Sequence, residues 1–415
     1  MKIEVVTPEE AGLSAQRLER IKPAMQAYVD QKKIAGVSTM VARRGKVVHF
    51  EQVGQMDLES NTPMPADAIF RIYSMTKPTV CAALMTLYEQ GCFQLFDPIA
   101  KFIPAFSNLK VLESDTAGEI KEVDLARPIT IRDLLTHTAG LTYDFFEDSP
   151  VSELYRQARL INNVERTLEE LTHELARLPL AYQPGSRWHY SLAIDVVAHL
   201  IEVISGQSLD HFLKEKIFSP LGMIDTDFYL PSAKRDRLVT MYGRPDIAAP
   251  DMTLSKLMKA WESGFNERID LSETHPASKP VIRGGSGLFS TAWDYMRFAQ
   301  MLLNQGELDG VRILGRKIVE LMYMNHLPAD LLPFEFGGEP NLGYGFGLGS
   351  RVLMNVAESQ MPGSVGEFGG SGIATTYYWV DPEEKIVGIL MAQNMVGWDT
   401  PEMAFRVLAY QALVD

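Results

Sequence analysis

The chain has 415 residues, 46% hydrophobic and 22% charged, close to soluble globular averages and outside the disordered and collagen-like classes. Its 53 acids against 39 bases give a formal net charge of −14, a surface that repels nucleic-acid phosphate and anionic lipid, and no basic patch relieves it. The start, MKIEVVTPEEAGL, carries acids where a secretory signal needs an apolar run, and no segment approaches the ~18 uninterrupted apolar residues of a membrane span. The expectation is a soluble, cytoplasmic protein with neither nucleic-acid nor membrane partners.

Leu18, Ile21, Met25 and Val29 recur at helical spacing behind Ser14, which predicts a capped helix over residues 14–33. GVSTMVARRGKVVHFEQVG, 36–54, reads as two strands around an Arg44-Gly45 turn. IATTYYWV, the turn DPEE and KIVGILMAQ form a second hairpin over 373–393, followed by a helix through 402–413. Between these ends, TIRDLLTH, ERTLEELTHELARL, DVVAHLIEVISG and LDHFLKEKIF are helical patches, and 230–282 reads as a surface excursion or cap.

Strands at both ends around a helical middle predict an α/β fold: an antiparallel sheet flanked by helices, with a mainly helical domain inserted. The expected boundaries are 1–76 plus 283–415 for the sheet domain and 77–282 for the insertion, with a site at their interface. Cys81 and Cys92 do not have metal or redox spacing and are expected to fill the core in a reducing compartment.

Ser-x-x-Lys arises roughly once or twice by chance in a chain of this size, and it occurs twice here, as Ser74 to Lys77 and Ser107 to Lys110. Ser107 follows Pro104 and precedes an acid-rich run, so it reads as a loop. Ser74 follows the apolar DAIFRIY and precedes Val80, Leu84, Leu87 and Tyr88 at helical spacing. Pro78 fits only the first turn of a helix, because its ring collides with the carbonyl four residues back, that of Ser74. The serine therefore stands at a helix mouth, among free amides and the positive dipole end. Lys77, roughly 5–6 Å away on the same face, can accept the hydroxyl proton if its ammonium is partly desolvated. The other reading is a serine cap followed by an exposed lysine.

Two further segments bear on the choice. PGSRWHYSLAIDVVAHLIEVISG, 184–206, places Tyr190 at a second helix mouth with Ser191 as a cap; the phenol either relays protons or is a hydrogen-bonded core tyrosine. EFGGSGIATTYYWV has a glycine-rich approach to a strand, where a backbone amide meets an oxyanion or a β-bulge forms.

Together, SMTK, PGSRWHYSLAIDV and the FGG strand resemble the serine β-lactamase and penicillin-binding superfamily. Within it the pattern looks most like the family VIII carboxylesterases, with their class C β-lactamase-like fold. AGVSTMVARRGKVV, IRDLLTHTAGLTYDF, PLGM and GGSGLFSTAWDYMRF carry the likeness over most of the chain. The resemblance implies Ser74 as acylated nucleophile, Lys77 and Tyr190 as acid/base partners, and the amides of Ser74 and Ser371 as oxyanion hole. It also implies Tyr143 and Asp195 at or behind the site, and a structural role for His137.

The departures narrow the substrate. Leu192 stands where β-lactamases and DD-peptidases have the asparagine of Tyr-x-Asn, and Phe368-Gly369-Gly370 replaces Lys-Thr-Gly or His-x-Gly. Losing polar contacts to an amide and a carboxylate favours small, neutral, partly apolar esters over peptides and penicillins. The chain has no G-x-S-x-G, His-Glu-x-x-His or P-loop motif. The expectation is a serine esterase acting on a small-molecule ester without metal or cofactor. The alternatives are transfer of the acyl group to an alcohol, weak β-lactamase activity, and a catalytically silent binding protein.

Overall fold

A computed structural model of the chain describes residues 3–114, 119–243, 249, 251–262, 267–395 and 401–415. Eight antiparallel strands form the main sheet: β1 Gly36–Arg43, β2 Lys46–Asp57, β3 Thr62–Pro63, β4 Tyr344–Phe346, β5 Arg351–Leu353, β6 Phe368–Gly372, β7 Thr376–Asp381 and β8 Ile386–Ala392. Their order is β4-β5-β6-β7-β8-β1-β2-β3, so the two ends of the chain meet where β8 pairs with β1. The β1–β2 turn uses positive φ at both Arg44 and Gly45, 53° and 78°, as a tight right-twisting hairpin requires.

Both sheet faces are covered, so β1, β7 and β8 are buried at every residue rather than at alternate ones. Val37, Val41, Trp379, Ile386 and Leu390 point to one face, under α1 (Ile21–Asp30) and a C-terminal helix at Pro401–Tyr410. Met40, Tyr378, Val387, Ile389 and Met391 point to the other. There they join a cluster that runs through a helix at Thr76–Glu89 to those at Ala193–Ser205 and Ala292–Leu303. In chain order these four helices are α2 (Thr76–Glu89), α3 (Ala193–Ser205), α4 (Ala292–Leu303) and α5 (Pro401–Tyr410).

Several local expectations are corrected. The first helix is broken into Ala15–Leu18, capped by Ser14 Oγ accepting from the Arg17 amide at 3.3 Å, and α1. Pro23 is the reason: it needs a first turn, so the helix restarts at Ile21. Residues 373–375 turn between β6 and β7 instead of opening a strand, with Thr375 at φ 60°. The helical middle also holds a two-stranded ribbon, Lys110–Ser114 with Ile120–Asp124. Ser107 lies in a 3-10 turn, and Lys110 begins that ribbon. Cys81 is buried but Cys92 is exposed just beyond the end of α2. Among the described residues no helix is long and apolar enough to cross a membrane.

A buried ionic cluster joins α5 to the sheet. Arg406 pairs with Glu367 at 2.7 Å, and the Tyr410 hydroxyl lies 2.9 Å from Glu367 Oε2 and 2.8 Å from Asp381 Oδ2. One phenolic hydrogen cannot serve two ionised carboxylates, so the group holds an extra proton. Burial pushes the Glu367 carboxyl from 4.5 up to about 7, against the pull of Arg406 and Arg351. The folded state therefore keeps a proton that the unfolded chain has lost, and stability falls as pH rises from 4.5 through 7, by at most about 3 kcal/mol. Urea midpoints across this range should show that decline in the wild type and a flatter profile in Glu367→Gln; identical slopes would refute the assignment.

Candidate active site

Ser74 sits on a single 3-10 turn, Tyr73–Met75, that feeds directly into α2. Pro78 is the third residue of α2, which leaves the Ser74 carbonyl outside the regular ladder, and Lys77 is helical despite the proline that follows it. The turn is held under strain, since Tyr73 has φ 42°, unfavourable for a bulky L-residue. Three contacts pin it. Tyr295 Oη of α4 donates to Met75 O at 2.9 Å, Leu288 O accepts from the Ile72 amide at 3.0 Å, and Thr376 Oγ1 of β7 donates to Ile72 O at 3.3 Å. Gly372 of β6 packs so closely on this turn that a Cβ would lie 2.3 Å from Ile72 O. That contact brings the Ser371 strand alongside the serine turn.

Lys77, 4% exposed, places Nζ 3.2 Å from Ser74 Oγ and donates to Gly285 O at 2.7 Å. Its Nζ lies over two phenol rings, 4.5 Å from the centroid of Tyr190 and 5.5 Å from that of Tyr143. Tyr190 is half-buried just before α3, where Ser191 Oγ accepts from the Ala193 amide at 3.4 Å. Tyr143 is buried, and burial together with Tyr190 and Asp195 raises its phenol well above the usual range, so it stays neutral.

Asp195, on the first turn of α3, lies behind the lysine: its Oδ1 accepts from the Gly285 amide at 3.2 Å. Burial raises its carboxyl while the positive charges of Lys77 and Arg283 oppose the rise. Gly285 is thus the hinge of this corner. A Cβ there would stand 2.7 Å from Asp195 Oδ2, 2.9 Å from Tyr143 Oη and 3.4 Å from Lys77 Nζ. Sequence reasoning assigned no role to this glycine, and the available signal was the Gly-Gly-Ser-Gly run that ends the excursion. His137 is 1% exposed, with its ring 4.8 Å from Tyr190 and Nδ1 3.3 Å from Ser191 Oγ; burial pulls its imidazole well below 6.5, so it is neutral.

These groups open on a cavity of about 840 Å³ whose wall includes Ser74, Lys77, Tyr143, Tyr190 and Gly369 to Gly372. Leu192 and Phe368, expected at the substrate or behind it, are outside the wall. Leu192 is 2% exposed in the core at the start of α3, and the Phe368 ring stacks on Tyr323 with centroids 3.5 Å apart, on the sheet face under α4. The apolar lining comes from Phe145, Trp188, Phe334, Phe336 and Phe346 instead.

The sequence profile of the beta-lactamase family matches residues 21–412. The chain belongs to the beta-lactamase family. Within this family it is 34% identical over 382 residues to protein Rv1367c of Mycobacterium tuberculosis, covering 91% of this chain and 90% of that protein. It is 27% identical over 375 residues to esterase EstB of Burkholderia gladioli, covering 87% and 86% of the two chains. The solved structure of EstCE1, described as a hydrolase with promiscuous acyltransferase activity, superposes with a TM-score of 0.77 at 27% identity, over 95% of this chain and 99% of that one. The sheet flanked by helices is the β-lactamase-type architecture, and the esterase relatives support a serine hydrolase or acyltransferase built on it.

Proposed function

We propose that the protein is a carboxylesterase working through an acyl-enzyme on Ser74. The observation that carries this reading is the 3.2 Å approach of Lys77 Nζ to Ser74 Oγ at a helix mouth in the wall of a largely aromatic cavity. As an amine, Lys77 keeps one N–H for Gly285 O and turns its lone pair to the serine hydroxyl. Ser74 Oγ then bonds to the ester carbonyl carbon while its proton passes to Lys77. The amides of Ser74 and Ser371 stabilise the oxyanion, the alcohol leaves with the proton through Lys77 and Tyr190, and water reverses the sequence to release the acid.

The aromatic wall favours esters with a bulky apolar group, and a role for Leu192 and Phe368 in selecting the acyl chain drops out. A second reading, transfer of the acyl group to an alcohol, is favoured by the EstCE1 likeness and by a cavity large enough to hold both partners. An aryl-phosphonate should leave one mass adduct, mapping to Ser74, and block turnover of aryl esters in an acyl-chain series. Product analysis with a competing alcohol separates hydrolysis from transfer, and nitrocefin run alongside reads residual β-lactam cleavage. An unlabelled Ser74 with ester turnover intact would remove the assignment.

A further inference from the structure

One end of the cavity carries a charge that ester cleavage does not use. Arg351 of β5 lines the wall and is only partly buried. Its Nη2 donates to Tyr377 Oη at 2.5 Å, and its guanidinium carbon lies 5.0 Å over the Tyr377 ring and 5.4 Å over that of Tyr344. Burial raises the Tyr377 phenol above its usual range, so it stays neutral. Arg406 of α5, which also lines the wall, has Glu367 as counter-ion at 2.7 Å. Among the described residues no carboxylate lies within 4.0 Å of the Arg351 guanidinium, and Glu367 acts on it only from farther away. Of the other acids along the wall, Glu339 and Glu358 are exposed, and Glu402 is half-buried on α5, one turn before Arg406. Arg406 thus has a carboxylate in ion-pair range, and Arg351 has none among the described residues.

The register relates this cation to the reacting end. Arg351 pairs with Gly369, and Ser371 is two residues farther along β6 on the same face, roughly 7 Å at the usual strand rise. Gly369 and Gly370 put no side chain between them, so the path along the cavity wall is open. A planar guanidinium with free N–H groups in a partly desolvated wall is matched by a carboxylate, which it can grip with two parallel hydrogen bonds.

We propose that Arg351 is the anion receptor of the cavity, and that the preferred esters carry a carboxylate a short spacer away from the reacting carbonyl. This rests on the ester reading of the same site and reverses the expectation of a fully neutral substrate. The aromatic wall holds the apolar part of the molecule and Arg351 its charged end.

The test compares 4-nitrophenyl monoesters of succinate, glutarate and adipate with the matching 4-nitrophenyl methyl diesters, in which a neutral methyl ester replaces the carboxylate, with the spontaneous cleavage that a neighbouring carboxylate speeds subtracted from every rate. The wild type should prefer the charged ester by about 10- to 100-fold in kcat/KM at the best spacer, glutarate or adipate, with the gain mainly in KM. Arg351→Gln should bring that ratio to about one, and Arg351→Lys should keep part of it. A wild-type ratio at or below one for every spacer, with the diesters still cleaved, overturns the anion receptor and leaves the ester reading standing. If neither ester is cleaved, the ester reading falls. Calorimetry of adipate with Ser74→Ala protein, with and without Arg351→Gln, then decides the anion site alone: binding lost with the arginine supports it, and no binding overturns it. Should Arg351→Gln fail to fold, the wild-type ratio and Arg351→Lys carry the same decision.

Discussion

Ser74→Ala should lower kcat/KM for aryl esters by about 10⁴-fold or more while leaving the thermal unfolding midpoint within a few degrees of wild type, because among the described residues the hydroxyl has one hydrogen-bond partner, Lys77 Nζ. Lys77→Met should cost a similar factor. It removes the proton acceptor but keeps an apolar stem that fits the buried track beneath Tyr190 and Tyr143. Lys77→Arg should not rescue, since a guanidinium stays protonated and cannot take the serine proton. The double variant Ser74→Ala, Lys77→Met should be no slower than either single one, as expected of groups acting in one step. Steady-state kinetics with a circular-dichroism melt check all four. Multiplicative losses in the double variant would mean that the two residues serve different steps.

Gly285→Ala should lower kcat/KM by about 10²-fold with a small effect on stability. The new methyl meets the ends of three side chains, Asp195, Tyr143 and Lys77, which yield by swinging away and take Nζ off its line to Ser74. The neighbouring Gly284→Ala is its control. There the methyl would meet backbone, Ile194 O at 2.3 Å, and Ala198 Cβ at 2.6 Å, so α3 must shift bodily and the loss should appear as a lower melting point. The expected pattern is a kinetic defect at 285 and a stability defect at 284. The reverse pattern would remove the glycine corner from the mechanism.

What the sequence made legible was whatever a short stretch decides by itself. Pro78 located the helix mouth because a steric rule spans four residues, and Arg44-Gly45 located a hairpin because the turn demands positive φ. Strand-forming runs bounded by turn residues marked β1, β7 and β8, though they could not show that both faces are covered. The reading failed where a side chain's direction is set by distant partners. Leu192 and Phe368 sit at meaningful motif positions, but strand register sends Phe368 to Tyr323, and core packing takes Leu192 off the wall. Arg351 gave no signal, since an arginine after Gly-Ser in a glycine-rich stretch looks like any surface residue until β5 is set against Gly369. Gly285 matters through three side chains brought from 77, 143 and 195, none of them local.

The pairing of β8 with β1 carries a consequence for how the protein comes to be active. Val37 lies opposite Ala392, and β6, which lines the cavity beside Ser74, is tied into the sheet through β7 and β8. A chain emerging from the ribosome carries Ser74 and Lys77, at and just inside the mouth of α2, long before those strands have been made, and pairings of such sequence separation form late. During synthesis the Ser74 turn lacks the strands that clamp Ile72, so on the proposed mechanism activity waits until the last strands close the sheet.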